Sequence, residues 1–130
     1  MQVQTPRILI VDDDPDICDL LRSMLLREGF VVRTAGNGLS ALELIKRDDF
    51  DLMITDIGLP PLMDGVETVR RARECRPALQ SLFISGGGEC RWDDPDRDNF
   101  VAKPFQEREV LGCVWELFSR NWPRHGLNYR

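Results

Sequence analysis

The chain has 130 residues, enough for one domain with a full core, and its 42% hydrophobic and 30% charged content is ordinary for a globular protein. A formal net charge of −5 argues against a nucleic-acid surface, which needs clustered Lys and Arg. A lone His125 excludes a multi-histidine metal centre or a Ser-His-Asp triad in the domain body.

The four cysteines, Cys18, Cys75, Cys90 and Cys113, are scattered with no C-x-x-C pair, so reduced thiols are expected. No apolar run reaches the ~18 residues of a membrane span, and the N-terminus has no signal-peptide pattern. Both point to a cytoplasmic protein.

Arg7-Ile8-Leu9-Ile10-Val11 is a continuous aliphatic run of the length of a buried central strand. It ends in Asp12-Asp13-Asp14-Pro15. Asp before a helix-opening Pro is an N-cap signal, which gives Asp14 a structural role and leaves Asp12 and Asp13 at the strand end. Ile17, Leu20, Leu21, Met24 and Leu25 predict an amphipathic helix ending at Gly29. Phe30 to Ala35 reads as a second strand, Asn37-Gly38 as a turn, and Ala41, Leu42, Leu44 and Ile45 as a second helix to about Arg47.

Leu52 to Thr55 is the third strand, and it delivers the carboxylate of Asp56 to its end before Gly58, Pro60 and Pro61 break the backbone. After Gly65, residues Val66, Val69 and Ala72 line a third helix that stops before Pro77. The arginines of its Val69–Arg76 stretch read as a solvated face. Ser81 to Ser85 is the fourth strand.

Residues 86 to 99 hold Gly86-Gly87-Gly88 and Trp92-Asp93-Asp94-Pro95 without helical periodicity. Fourteen residues are tight for a helix of ~11–12 residues with its loops, so a short, irregular or mobile fourth helix is expected there. Phe100-Val101-Ala102 is a fifth strand leading to Lys103-Pro104-Phe105. Val110, Leu111, Val114, Leu117 and Phe118 predict a last helix to about Asn121. Trp115 lies off that stripe and suits either a partner surface or partial burial. Residues 1–121 are read as the domain, and 122–130 as a polar tail in which His125 is solvated.

Alternating strands and helices imply an α/β fold with a parallel sheet covered on both faces. Such folds bind ligands beyond the carboxyl ends of their strands. Asp12 and Asp13 follow strand one, Asp56 ends strand three, Ser85 ends strand four and Lys103 follows strand five. On its own Asp56 reads equally well as the start of a turn; five polar groups on one edge favour function. Three carboxylates together repel unless a cation intervenes. Oxygen ligands with open positions suit Mg²⁺, and a divalent ion beside a lysine is a phosphate-handling arrangement. No Walker-type G-x-x-x-x-G-K-[ST] is present, so the site is not a P-loop.

The ordered set Asp12-Asp13, Thr55-Asp56-Ile57-Gly58-Leu59-Pro60, Met63-Asp64-Gly65, Ser85 and Lys103-Pro104-Phe105 resembles the receiver domain of two-component response regulators, the chemotaxis-Y-like family, over roughly residues 6 to 120. The resemblance implies a flavodoxin-like, doubly wound five-stranded sheet of order 2-1-3-4-5. It implies that Asp56 accepts a phosphoryl group from a phosphohistidine on a histidine kinase or phosphotransfer protein. Asp13, Asp56 and the Gly58 carbonyl would ligate Mg²⁺, with Asp12 acting through water. Lys103 would pair with the phosphoryl oxygens, Ser85 would hydrogen-bond to them, and Phe100 would be the switch aromatic, although Phe100 reads equally as core.

The implied protein is a phosphoacceptor rather than an enzyme with turnover. It would act on an unknown downstream protein, with no direct nucleic-acid or membrane contact, as a monomer or weak dimer. It has no room for a DNA-binding domain after residue 121. Alternatives are a receiver excised from a hybrid kinase or larger regulator, a non-phosphorylated interaction module of the same fold, and a Mg²⁺-dependent hydrolase with an aspartyl nucleophile. Two features depart from the family pattern: one extra residue between Pro60 and Asp64, and the Gly-rich segment in place of the fourth helix. Gly58 and Gly87 also lack side chains where the family tunes aspartyl-phosphate lifetime.

Overall fold

Hydrophobic runs buried on both faces are what a central parallel sheet requires, and these runs form one. The computed structural model describes residues 5–59, 63–86 and 99–121. In chain order the elements are β1 (Arg7–Val11), α1 (Pro15–Arg27), β2 (Val31–Ala35), α2 (Gly38–Arg47), β3 (Leu52–Asp56), α3 (Gly65–Cys75), β4 (Gln80–Ser85), β5 (Phe100–Ala102) and α4 (Glu107–Asn121). All pairings are parallel and the strand order is β2-β1-β3-β4-β5, as the resemblance implied.

Side-chain alternation along each strand divides the core in two. Ile8, Ile10, Ile54, Ile84 and Val101 face α1 and α4, where Leu21, Leu25, Val114 and Phe118 meet them. Leu9, Val11, Met53 and Phe83 face α2 and α3, where Ala41, Ile45, Val69 and Ala72 meet them. The registers Val11↔Thr55 and Asp56↔Ile84 set the carboxyl ends of β1, β3 and β4 level.

The helix ends follow their caps. Asp14 accepts the Asp16 N–H with Pro15 opening α1, and past the C-cap Glu28 comes Gly29, whose φ of 94° suits glycine. Asp64 caps α3 by accepting the Glu67 N–H. Asn37 and Gly38, expected to form a turn, instead start α2: Asn37 is its N-cap and Gly38 its first residue. Gly38 is small for a reason, since a Cβ there would lie 2.5 Å from Thr68 Oγ1 and 2.8 Å from Met63 Cγ.

Two side chains depart from expectation. Leu20, placed on the apolar stripe of α1, is 49% exposed, and Cys18 takes the buried position, because the stripe centres on 18, 21 and 25. Trp115 is half-buried against Phe30, ring centroids 5.0 Å apart, and its Nε1–H donates to Glu28 at 3.1 Å. It therefore joins α4 to the end of α1, alongside an Arg27–Glu107 ion pair.

The arginines of α3 divide as well. Arg70 and Arg71 are exposed and pair with Glu67, whereas Arg73 donates to the Leu79 carbonyl and Arg76 to the carbonyls of Ile45 and Asp48. Cys18, Cys75 and Cys113 are free thiols. The expected irregular fourth helix, Gly87, Cys90, the two residues Pro61 and Leu62 of the lengthened loop, and the 122–130 tail lie outside the described residues. Among the described residues no helix is long and apolar enough to cross a membrane.

Candidate functional site

Because the sheet is parallel, the carboxyl ends of its five strands share one edge, and three of those ends carry acidic or basic side chains to a common point. β1 stops at Val11, and Asp12 follows with only 2% of its surface exposed. Its main-chain N–H continues to the Ala35 carbonyl at 3.1 Å, and its Oδ1 accepts the Asp14 N–H at 2.9 Å. The capping residue of α1 thus also orients the acid before it. Asp56 is the last residue of β3 rather than the first of the loop. Its Oδ1 accepts the Gly58 N–H at 3.0 Å.

Lys103 reaches across from the end of β5. Its Nζ donates to Asp12 Oδ2 and to Asp56 Oδ2, at 3.0 Å each. Its main-chain N–H is held by the Ser85 carbonyl at 2.8 Å, and the peptide bond to Pro104 is cis. One carboxylate oxygen each from Asp12, Asp13 and Asp56 lies within 4.8 Å of the others.

Burial dominates the electrostatics of Asp12. Desolvation pushes its carboxyl above the ordinary 3.8, against the lowering effects of the Asp14 N–H and the Lys103 ammonium. At Lys103 desolvation also disfavours the charge, but the hydrogen bonds to Asp56 and Asp12 outweigh it, and its pKa stands above 10.5. The lysine is therefore a fixed cation at neutral pH.

The donor set fits a small hard cation. One oxygen from each of three carboxylates within 4.8 Å is a spacing at which the three could share one small cation. All three are hard oxygen donors, and neither sulfur nor imidazole competes within the cluster.

Of the residues singled out from sequence, Asp12, Asp13, Asp56 and Lys103 come together directly. Ser85 is buried at the end of β4, beside Lys103 through its own carbonyl. Gly58 meets Asp56 through its amide. Phe100 stands at the start of β5 opposite Phe83, packed on the α2–α3 side of the core.

Gly65 was legible only as part of a turn, yet it has a steric role at the site. A Cβ on it would fall 2.2 Å from the Asp56 carbonyl oxygen, so α3 rests its first residue on the main chain of Asp56. The Asp-Gly pair opening a helix was the available signal; nothing in the spacing pointed to the contact.

Comparison with known proteins agrees with this geometry. The family model described as response regulator receiver domain matches residues 8–114. The chain is 37% identical over 116 residues to the response regulator receiver protein CpdR of Brucella abortus, covering 85% of this chain and 95% of that protein. It is 49% identical over 113 residues to a 14.6 kDa protein of Leptolyngbya boryana, covering 82% of this chain and 86% of the other.

Other curated relatives are longer. The transcriptional regulatory protein CreB of Escherichia coli is 36% identical over 126 residues, which are 91% of this chain but 53% of CreB, so the chain spans about half its length. Among solved structures, the response regulator TrrA of Thermotoga maritima, in complex with Mg²⁺-BeF, superposes with a TM-score of 0.77 at 32% identity, covering 87% of this chain and 99% of that one. The chain belongs to the response regulator receiver domain family of two-component systems.

Proposed function

We propose that Asp56 is a phosphoacceptor, taking a phosphoryl group from a phosphohistidine on a histidine kinase or phosphotransfer protein with Mg²⁺ bound at the acidic cluster. The observation that carries the reading is the Lys103 ammonium bridging Asp12 and Asp56 at 3.0 Å, with Asp13 in the same cluster. Asp13, Asp56 and the Gly58 carbonyl are the ligands assigned to the metal, with Asp12 holding it through water. The ion, when bound, neutralises charge on the transferring group.

The remaining chemistry belongs to the chain. An Asp56 carboxylate oxygen attacks phosphorus, the P–N bond breaks with its electrons returning to the imidazole, and an aspartyl phosphate results. Lys103 supplies positive charge beside the oxygen it already bonds. Ser85, at the neighbouring strand end, is assigned a hydrogen bond to the phosphoryl oxygens, and Phe100 a change of packing as the site closes. The added charge then biases a two-state element.

On this reading the protein is a signalling switch or relay and not an enzyme with turnover of its own, although it takes part in its own phosphorylation and dephosphorylation. Its output is to another protein, in the cytoplasm. The long relatives favour a second reading in which this receiver is one module of a larger regulator.

The test is incubation with Mg²⁺ and acetyl phosphate. An acid-stable, base-labile adduct that is lost in Asp56→Asn supports the proposal, and no adduct on the parent protein overturns it. Steady hydrolysis of a phosphate ester would favour an aspartyl hydrolase instead.

A further inference from the structure

The backbone around Asp56 leaves its sheet at an awkward place. Val11↔Thr55 is the last pair between β1 and β3, so the Asp56 carbonyl, one residue further on, lies past the end of that ladder. It lies under the first residue of α3, where even a Cβ on Gly65 would be only 2.2 Å away. A carbonyl in such a place needs a donor. The side chain of Thr55 supplies it: Thr55 Oγ1 donates to the Asp56 carbonyl at 3.0 Å, from a residue with no exposed surface.

The same peptide unit is held at its other end. The Asp56 carbonyl and the Ile57 N–H share one rigid plane, and the Ile57 N–H donates to the Ile84 carbonyl of β4 at 3.0 Å. Fixing both ends of that plane fixes the backbone torsion at Asp56, from which its carboxylate hangs. The next amide, that of Gly58, then falls on Asp56 Oδ1. Being β-branched, Thr55 has few χ1 states and holds its hydroxyl with little freedom.

We infer that Thr55 is a positioning residue for the phosphoacceptor: its hydroxyl orients the Asp56–Ile57 peptide plane and so aims the Asp56 carboxylate at Lys103 and the metal cluster. This rests on the phosphoacceptor role proposed for Asp56. Valine has nearly the shape of threonine without the hydroxyl, and serine keeps the hydroxyl without the methyl.

The experiment compares Thr55→Val and Thr55→Ser with the parent. It measures the Mg²⁺ dissociation constant of the unphosphorylated protein by calorimetry, the rate of adduct formation from acetyl phosphate at saturating Mg²⁺, and the urea midpoint. A misplacement of about 1 Å costs as much as ~10²-fold in a positioned reaction, so a partial loss of aim in Thr55→Val is expected to slow labelling about tenfold and weaken Mg²⁺ about threefold. Thr55→Ser should stay within about twofold of the parent, because the donor is retained.

Parent-like Mg²⁺ affinity and labelling in Thr55→Val, with only the urea midpoint lowered, would overturn the inference by reducing Thr55 to a packing residue. So would a Thr55→Ser variant as impaired as the valine. If Thr55→Val does not fold, Thr55→Ala carries the same expectation. A parent protein that binds no Mg²⁺ and forms no adduct would instead fail the phosphoacceptor reading itself, which this comparison separates from failure at Thr55.

Discussion

Gly65→Ala tests the tightest surroundings of any glycine among the described residues. The added methyl would lie 2.2 Å from the Asp56 carbonyl oxygen and 3.0 Å from both the Asp56 carbonyl carbon and Thr55 Oγ1. An ordinary carbon–oxygen contact is about 3.3 Å or more, so the start of α3 must retreat by about 1 Å or the end of β3 must yield. The obstacle is main chain and has no rotamer to turn away. Overpacking of this kind costs ~1–3 kcal/mol, and the upper end applies here. Alanine returns at most about 1 kcal/mol through its helix propensity.

The net expectation is a loss of about 2 kcal/mol, or a Tm lower by ~6–10 °C for a domain of this size. Thermal and urea unfolding read the stability, and Mg²⁺ titration reads the site, where affinity should fall because Asp56 carries the displaced carbonyl. A Gly65→Ala protein as stable as the parent, with unchanged Mg²⁺ affinity, would refute the claim that this contact constrains Asp56.

Three further outcomes are expected. Lys103→Met leaves the buried Asp12 carboxylate without its ammonium partner; Lys103 is itself one-fifth exposed, so destabilisation of about 1–3 kcal/mol is expected, below that of a fully buried pair. The Lys103 pKa is raised on folding, so its contribution is complete below 10.5 and is lost as pH rises through the higher folded value. From neutral pH the stability gap between parent and Lys103→Met should thus hold flat up to about 10.5 and narrow above it, and a gap closing near neutrality would contradict the assignment.

Mg²⁺ at about 100 times its dissociation constant should raise unfolding free energy by ~2.7 kcal/mol, and chelation should reverse this. Asp13→Asn, at an exposed position, should abolish the increment without unfolding the apo protein. Asp64→Ala removes the cap of α3 and should cost about 1 kcal/mol in urea unfolding while sparing Mg²⁺ affinity.

The strands were readable because both sheet faces are covered, so each strand is a nearly unbroken apolar run. The residue types at their ends were readable too, since a parallel sheet gathers those ends on one edge. Periodicity was a weaker guide on the helices. Five apolar residues on α1 did not reveal that Leu20 faces solvent, because a wide stripe leaves its centre undetermined by about one position. Trp115 lay off its stripe, and its burial comes from Phe30 and Glu28, distant in sequence but near in the fold.

The contacts that place Asp56 were not legible at all. Asp14 was readable as a cap, but the return of its N–H to Asp12 depends on the turn geometry. Gly65 and Gly38 are glycines because other segments press against their main chains. That information lies in the packing of α3 and α2, and not in local spacing. Thr55 looked like one more strand residue until the end of the β1–β3 ladder showed which carbonyl it serves.

The lysine already in the cluster determines what the cluster can neutralise. Three ionised carboxylates against one ammonium leave two negative charges within a few ångströms. A divalent cation brings that patch to neutrality, whereas a monovalent one leaves it anionic. A phosphoryl group placed on Asp56 would turn a single carboxylate charge into a phosphoryl dianion, returning about one of the two negative charges that the metal removed. The edge of the sheet would therefore alternate between anionic, neutral and anionic states as it is loaded and modified. A partner that senses only the field of this surface would distinguish the metal-loaded form from both others.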